Sequence, residues 1–158
     1  MNRLPPLPSP RSVAAHLRDR VGDAVARLPI GPPSAALAVA LDRLLLPKLD
    51  ADTIALLAGR VVEIAVRDLG LRCRVTLEHG AFRAARDGGP TTLSVTADSG
   101  SYWRLLRGDD DADRLFFERA LTMEGDTEYG LILKNTLDAL GPLLPALPRA
   151  PWRDEPTG

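Results

Sequence analysis

The stretch LRCRVTLE, Leu71–Glu78, alternates without exception: Leu71, Cys73, Val75 and Leu77 fall on one side, Arg72, Arg74, Thr76 and Glu78 on the other. A period of two marks a strand with one buried and one wet face. Sheets of such strands are antiparallel, with helices laid on one side only, and that is the expected architecture. The residues just upstream carry the same period. Val62, Ile64 and Val66 make an apolar row, Val61, Glu63, Ala65 and Arg67 a mixed one, and Asp68-Leu69-Gly70 supplies turn chemistry between the two strands. Downstream, His79-Gly80 predicts a tight hairpin and residues 81–85 a short third strand. Residues 86–90 read as a glycine-rich turn, and 92–97 as a fourth strand with Leu93, Val95 and Ala97 inward.

Helical spacing surrounds this block on both sides. Ser12 is placed to cap a helix to about Leu28, and a second helix starts at Ser34, with Leu37, Leu41, Leu44 and Leu45 in one stripe that Pro47 stops. Asp52 predicts the cap of a short helical turn through Ile54, Leu56 and Leu57, closed at Gly59. After the fourth strand, Asp98 predicts the cap of a helix carrying Tyr102, Trp103 and Leu106, and an acidic loop leads to a short helix around residues 115–119. Leu121 and Met123 alternate with Thr122 and Glu124 in a fifth strand. Glu124-Gly125-Asp126 then turns into a last helix capped by Asp126, with Tyr129, Ile132, Leu133, Leu137 and Leu140 as its apolar stripe. Lys134 and Asp138 pair on the other side, where Leu131 also projects. The fold class expected is α+β, a five-stranded antiparallel sheet with helices packed on one face.

Composition agrees with one modest domain. The chain has 158 residues, 45% of them hydrophobic, with 20 Lys+Arg against 21 Asp+Glu and one cysteine. A net charge of -1 lacks the basic footprint that a phosphate backbone requires, so no nucleic-acid partner is expected. A single cysteine excludes an internal disulfide or a thiolate metal cage. Of the 14 prolines, four lie in the first ten residues, five from Pro142 onward, and only Pro90 between Lys48 and Gly141. Four segments follow from this. Residues 1–11 are a disordered Pro-rich lead-in, 12–47 an N-terminal helical extension, 48–141 the main domain and 142–158 a Pro-rich tail. No membrane span or signal-peptide core is read, so a cytoplasmic location is expected. Residues 12–47 and 143–152 leave two readings open, peripheral contact with the inner membrane or a plain helical extension of the fold.

Chemistry-bearing motifs are scarce. Neither phosphate-binding glycine pattern occurs. His16 and His79 have no ligands spaced around them, Cys73 sits on an apolar strand face, and residues 109–113 lack the glycine and closing glutamate of a calcium loop. Neither a metal nor a cofactor is expected. What stands out is apolar: adjacent Phe116 and Phe117 on a short helix point about 100° apart, so one can enter the core while the other lines a pocket or a groove.

One segment carries a family resemblance. In LFFERALTMEGDTEYGLILKNTLDAL, residues 115–140, the runs Leu115-Phe116-Phe117-Glu118-Arg119, Glu124-Gly125-Asp126-Thr127-Glu128 and Gly130-Leu131 with Lys134-Asn135 and Asp138 resemble the bacterial ubiquinone biosynthesis accessory factors. Those belong among the sterol-carrier-protein-2-like lipid-binding families. Val66-Arg67-Asp68 and the Ala97-Asp98 strand end also look like that family, so the likeness covers about residues 59–140. Ala120 departs from it, standing where a second basic residue is expected.

The resemblance implies a sterol-carrier-like fold with an apolar pocket and a non-catalytic role in making ubiquinone by its oxygen-independent route. The ligands implied are prenylated intermediates or other lipids, presented to other ubiquinone-biosynthesis proteins. Trp103, Leu106, Phe116, Phe117, Leu121, Met123, Ile132, Leu133 and Leu137 are the expected pocket wall. Glu124, Asp126, Leu131, Lys134 and Asn135 are the expected partner contacts. Competing readings are a protein-binding scaffold without lipid, a general phospholipid or sterol-type carrier, and an enzyme with Glu124 as base.

Overall fold

The computed structural model describes residues 31–144. The helix expected at 12–28, the lead-in and the segment from 145 onward lie outside the described residues. Helix α1, Gly31–Leu44, begins with Pro32 and Pro33, which fit a first turn whose N–H groups have no helical partner. A 3₁₀ turn at Leu46–Lys48 follows. Helix α2, Ala51–Leu57, is capped by Asp50 rather than Asp52, since the Asp50 carboxylate accepts from the Thr53 amide at 2.7 Å and Asp52 lies in the first turn. Strand β1, Val61–Val66, a 3₁₀ turn at Arg67–Leu69, strand β2, Leu71–Glu78, and strand β3, Ala81–Ala84, form a meander.

Strand β4, Leu93–Ala97, breaks the expected pattern. The sheet order is β3-β2-β1-β4-β5, and β4 runs parallel to β1, with Val62 opposite Leu93 and Val66 opposite Ala97. The sheet is therefore mixed, with one parallel pair among otherwise antiparallel neighbours, and residues 86–90 are not a hairpin turn. The chain leaves β3 at Ala84, opposite Val75, and re-enters in the same row of the sheet at Leu93. It crosses three strand spacings, about 14 Å. Glycine and proline dipeptides suit a crossing loop as well as a hairpin, so local turn chemistry could not separate them.

Helix α3, Ser99–Arg107, helix α4, Ala112–Phe117, strand β5, Leu121–Gly125, and helix α5, Thr127–Leu140, complete the described fold. The cap of α3 comes from a distance. Asp98 holds the N-cap position but makes an ion pair with Arg67 at 3.5 Å, while Asp68 accepts from the Ser99 amide at 2.8 Å and from its hydroxyl. The β1–β2 turn thus fixes the start of α3.

One face of the sheet carries Phe82, Val75, Leu77, Val62, Ile64, Leu93, Val95, Ala97, Leu121 and Met123, as the alternation predicts. Helices contribute Leu37, Ala38 and Leu41 from α1, Leu57 from α2, Tyr102 from α3, Leu115 from α4 and Tyr129 from α5 to the same core. Helix α1 packs on β2 and β3. Its Asp42 accepts from the Phe82 amide at 2.7 Å, which occupies an outward donor of the edge strand β3.

The opposite face is not uniformly wet. Thr76 is buried, and Arg74 is only 4% exposed although it carries a full charge. The crossing loop covers it. The Arg74 guanidinium donates to the carbonyls of Arg86 and Gly89, both at 2.6 Å, to Pro90 O at 3.3 Å and to Thr91 Oγ1 at 3.2 Å. Its Nε is buried without a partner. An alternating pattern reports which face a residue is on, but not what later folds over it.

Candidate functional site: an open apolar cleft at the β5 edge

Helix α4 and strand β5 are joined by a sharp corner. The helix is capped by Asp111, which accepts from the Arg114 amide at 2.7 Å, and ends at Glu118. Arg119 follows in the left-handed region at φ 58°, a conformation that glycine adopts freely and an L side chain rarely does. Leu115 is fully buried, so the helix is anchored through that side chain. Phe116 and Phe117 then both point outward, neither entering the core that Leu115 fills, their rings edge to face with centroids 6.4 Å apart, and are 47% and 81% exposed.

At the other end of β5, the turn into α5 explains its glycine. Gly125 lies opposite Leu93 at φ 119°, and a β-carbon there would sit 2.4 Å from the Thr92 carbonyl oxygen. That carbonyl accepts from the Asp126 amide at 2.9 Å. Asp126 caps α5 as expected, accepting from the Tyr129 amide at 3.0 Å, and its other oxygen faces Arg60 at 3.7 Å. Arg60 also lies 4.9 Å from the centre of the Tyr129 ring. Tyr129 is buried and donates to Leu57 O at 3.1 Å; its burial raises the phenol pKa. The Glu-Gly-Asp-Thr-Glu run is thus a junction that positions β5 against β4 and starts α5.

Between the corner and the junction lies an open cleft of about 470 Å³, lined by Phe116, Phe117, Arg119, Leu121, Thr122, Met123 and Glu124. Leu121 and Met123 belong to the core face of β5, Thr122 and Glu124 to the opposite face. The cleft therefore runs along the outer edge of β5, the end strand of the sheet. It brings together four of the nine expected pocket residues and one expected partner residue, Glu124.

The other expected residues lie elsewhere. Ile132 and Leu133 are partly buried against the core, and Trp103 is exposed on α3. Leu106 is partly covered, its carbonyl accepting from the amides of Leu143 and Leu144 at 2.9 Å. Leu137 lines a second, smaller cleft of about 240 Å³ with Leu105, Pro142 and acidic residues. There Asp110 is not the solvated residue that an acidic turn suggests: its side chain is 5% exposed, held by Arg104 at 2.7 Å and Arg114 at 3.2 Å.

The partner candidates on α5 divide by what holds them. Lys134 is bound to Asp113 at 2.6 Å and faces Asp138 at 3.7 Å, which ties α5 to α4; these carboxylates raise its pKa. Asp138 also accepts from the Ala112 amide. Leu131 is 55% exposed and Asn135 exposed. The register set by Asp113–Lys134 and Ala112–Asp138 is antiparallel, and one turn further takes the Phe116–Phe117 end of α4 to the level of Leu131. Sequence reasoning missed Arg119 as a site residue. The signal available was a non-glycine directly after a helix end, where glycine is favoured. Among the described residues no helix is long and apolar enough to cross a membrane.

The sequence model of the SCP-2 sterol transfer family matches residues 37–138. The ubiquinone biosynthesis accessory factor UbiT of Escherichia coli strain K12 is 35% identical over 92 residues, covering 58% of this chain and 52% of that protein. UbiT of Escherichia coli O157:H7 matches to the same extent, so the chain spans about half the length of the curated relatives it matches. Among solved structures, a UbiJ-SCP2 ubiquinone synthesis protein superposes with a TM-score of 0.46 at 16% identity, covering 84% of this chain and 99% of that one. The sterol carrier protein domain 2 of Helicoverpa armigera gives 0.48 at 13% identity, covering 70% and 91%.

Proposed function

The chain belongs to the SCP-2 sterol transfer family, and from that membership we propose that it is a non-catalytic accessory factor in ubiquinone biosynthesis that holds prenylated intermediates for other biosynthetic proteins. The observation that carries the reading is the cleft at β5, where Phe116 and Phe117 stand exposed beside Leu121 and Met123. Phe116 and Phe117 with Leu121 and Met123 make a contiguous apolar surface, the kind that marks a ligand or partner site. A prenyl tail is such a partner. Each of its CH₂-equivalent units favours apolar surroundings by about 0.8 kcal/mol, so it does not travel free in water. The oxygen-independent route and the cytoplasmic, peripheral location complete this reading, which takes its pathway from the likeness to UbiT.

The test is mass spectrometry of the organic extract of full-length protein purified without detergent, beside Phe117→Asp. Prenylated benzenoid or quinone lipids are expected in the native extract and are expected to fall at least several-fold in the variant. An extract without lipid above the blank, from protein that is folded by circular dichroism, would overturn the proposal. Exposed Leu131 with Asn135 at the same end favours a second role, contact with a biosynthetic protein across α4 and α5. Leu131→Glu is expected to weaken that contact in co-purification while leaving bound lipid unchanged.

A further inference from the structure

Strand β5 ends the sheet with one hydrogen-bonding edge open. Among the described residues it pairs only with β4, with Gly125 opposite Leu93 and Leu121 opposite Ala97. The Asp126 amide donates to Thr92 O at 2.9 Å, which fixes the phase of the ladder. Bonded pairs in an antiparallel ladder recur at every second residue. Glu124 and Thr122 therefore turn their backbone groups toward β4, while Leu121, Met123 and Gly125 turn theirs to the open side, and no other described group takes these up. Charge is polarised along the same stretch. Arg119 stands before the strand, Glu124 in its second half and Glu128 in the first turn of α5, and none of these three side chains makes an ion pair or hydrogen bond among the described residues.

We propose that the β5 edge pairs with the β5 edge of a second copy of this chain, antiparallel about a two-fold axis at Met123, so that the two sheets become one. This goes beyond the lipid-binding reading and does not rest on it, since the ladder uses the backbone of β5 in protein free of lipid. Only Leu121, Met123 and Gly125 offer outward groups, so a shift of one residue sets outward groups against inward ones. Centring on Met123 engages all three. Leu121 faces the partner's Gly125 and Met123 faces the partner's Met123, with about six backbone hydrogen bonds formed. The side chains suit the same register. Thr122 falls opposite the partner's Glu124, a donor against an acceptor, and symmetry repeats the pair. Arg119 comes to the level of the partner's Asp126 and the partner's Glu128, so the positive end of each strand meets the negative end of the other. Phe116 and Phe117, exposed beside the strand, widen the contact beyond the backbone.

The test is sedimentation velocity of the delipidated full-length protein between about 1 and 100 µM, the range in which a short interface associates, with hydrogen exchange measured over the same range. A monomer–dimer equilibrium is expected, and exchange at Leu121, Met123 and Gly125 is expected to slow at least several-fold as the dimer fills. Thr122→Glu sets a carboxylate opposite the partner's Glu124, twice by symmetry, and is expected to weaken the dimer roughly tenfold with the circular dichroism unchanged. Adding Glu124→Lys to that variant is expected to restore the dimer, because each carboxylate then faces an ammonium group. A native protein that stays monomeric at the highest concentration, or a dimer indifferent to Thr122→Glu, overturns the proposal. A dimer that Thr122→Glu weakens and the double variant does not restore overturns the register about Met123. Exchange at the three amides that ignores concentration while a dimer forms overturns the β5 edge as its interface. The lipid-binding reading stands or falls on the organic extract, and none of these outcomes bears on it.

Discussion

Replacing Arg74 with methionine tests whether a buried charge holds the crossing loop. The native guanidinium makes two short hydrogen bonds, to Arg86 O and Gly89 O at 2.6 Å, and two longer contacts to Pro90 O and Thr91 Oγ1. Hydrogen bonds to a charged group contribute about 1.5–3 kcal/mol each, so the two short ones contribute roughly 3–6 kcal/mol. Two effects offset this. Residues 86–91 are exposed, so the released carbonyls regain water. Methionine also removes a desolvated cation whose Nε is unsatisfied, and an apolar replacement of a buried charge is often tolerated. The net loss expected is about 2–4 kcal/mol, or a fall in Tm of roughly 5–15 °C for a chain of this size. Urea unfolding of the full chain measures it. Trypsin supplies a second reading, because the carbonyl of the Arg86 cleavage site is one that Arg74 holds. Cleavage there is expected to quicken at least several-fold in Arg74→Met. Unchanged stability together with unchanged cleavage at Arg86 would refute the claim that Arg74 fixes the crossing.

Three further outcomes follow from the same geometry. Gly125→Ala is expected to cost at least about 3 kcal/mol or to prevent folding, because φ 119° and a β-carbon 2.4 Å from Thr92 O cannot both be accommodated; soluble yield and thermal melting check it. Asp68→Ala is expected to cost about 1 kcal/mol through the lost cap of α3, and Asp98→Ala less, a comparison that chemical denaturation decides. Burial raises the pKa of Tyr102, whose hydroxyl donates to Val95 O at 2.9 Å with Ala65 O at 3.2 Å, and that of Tyr129. The folded state therefore favours the protonated phenols, so their contribution is complete below the ordinary value of 10.0 and declines as pH rises through the shifted values. Stability is expected to hold to about pH 9 and fall beyond it, with a shallower fall in Tyr102→Phe.

Periodicity exposed most of the fold because five short strands bury one face. Every residue placed inward from the alternation of β1, β2, β4 and β5 lies on the apolar face. What it could not expose was pairing. The direction of β4 is set by a loop that crosses the sheet, and the residue that secures the crossing, Arg74, sits twelve or more positions from its partners. Capping shows the same limit: Asp126 and Asp111 cap the helices that follow them directly, whereas Asp68 reaches α3 from 31 residues away. The site was half legible. Phe116 and Phe117 stand out as adjacent aromatics that point about 100° apart, but Trp103, Leu106 and Leu137 share their composition and lie elsewhere.

The segment from Leu115 to Asp138 divides cleanly by use. Leu115 fills the core, Gly125 permits close approach to Thr92, Asp126 caps α5, and Lys134 and Asp138 fasten that helix to α4. Folding accounts for each of these. It does not account for Phe116, Phe117, Arg119, Glu124 or Leu131, which stay exposed while the residues interleaved with them are held. The first four of these also line one cleft at the edge of β5. The opposite edge is treated differently, since Asp42 of α1 occupies an outward amide of β3. An edge flanked by two exposed phenylalanines and an arginine that pairs with no group among the described residues invites association unless something fills it. The same chain guards one edge and leaves the other dressed with apolar and charged groups, and the proposed ligand site at the β5 edge rests on that asymmetry.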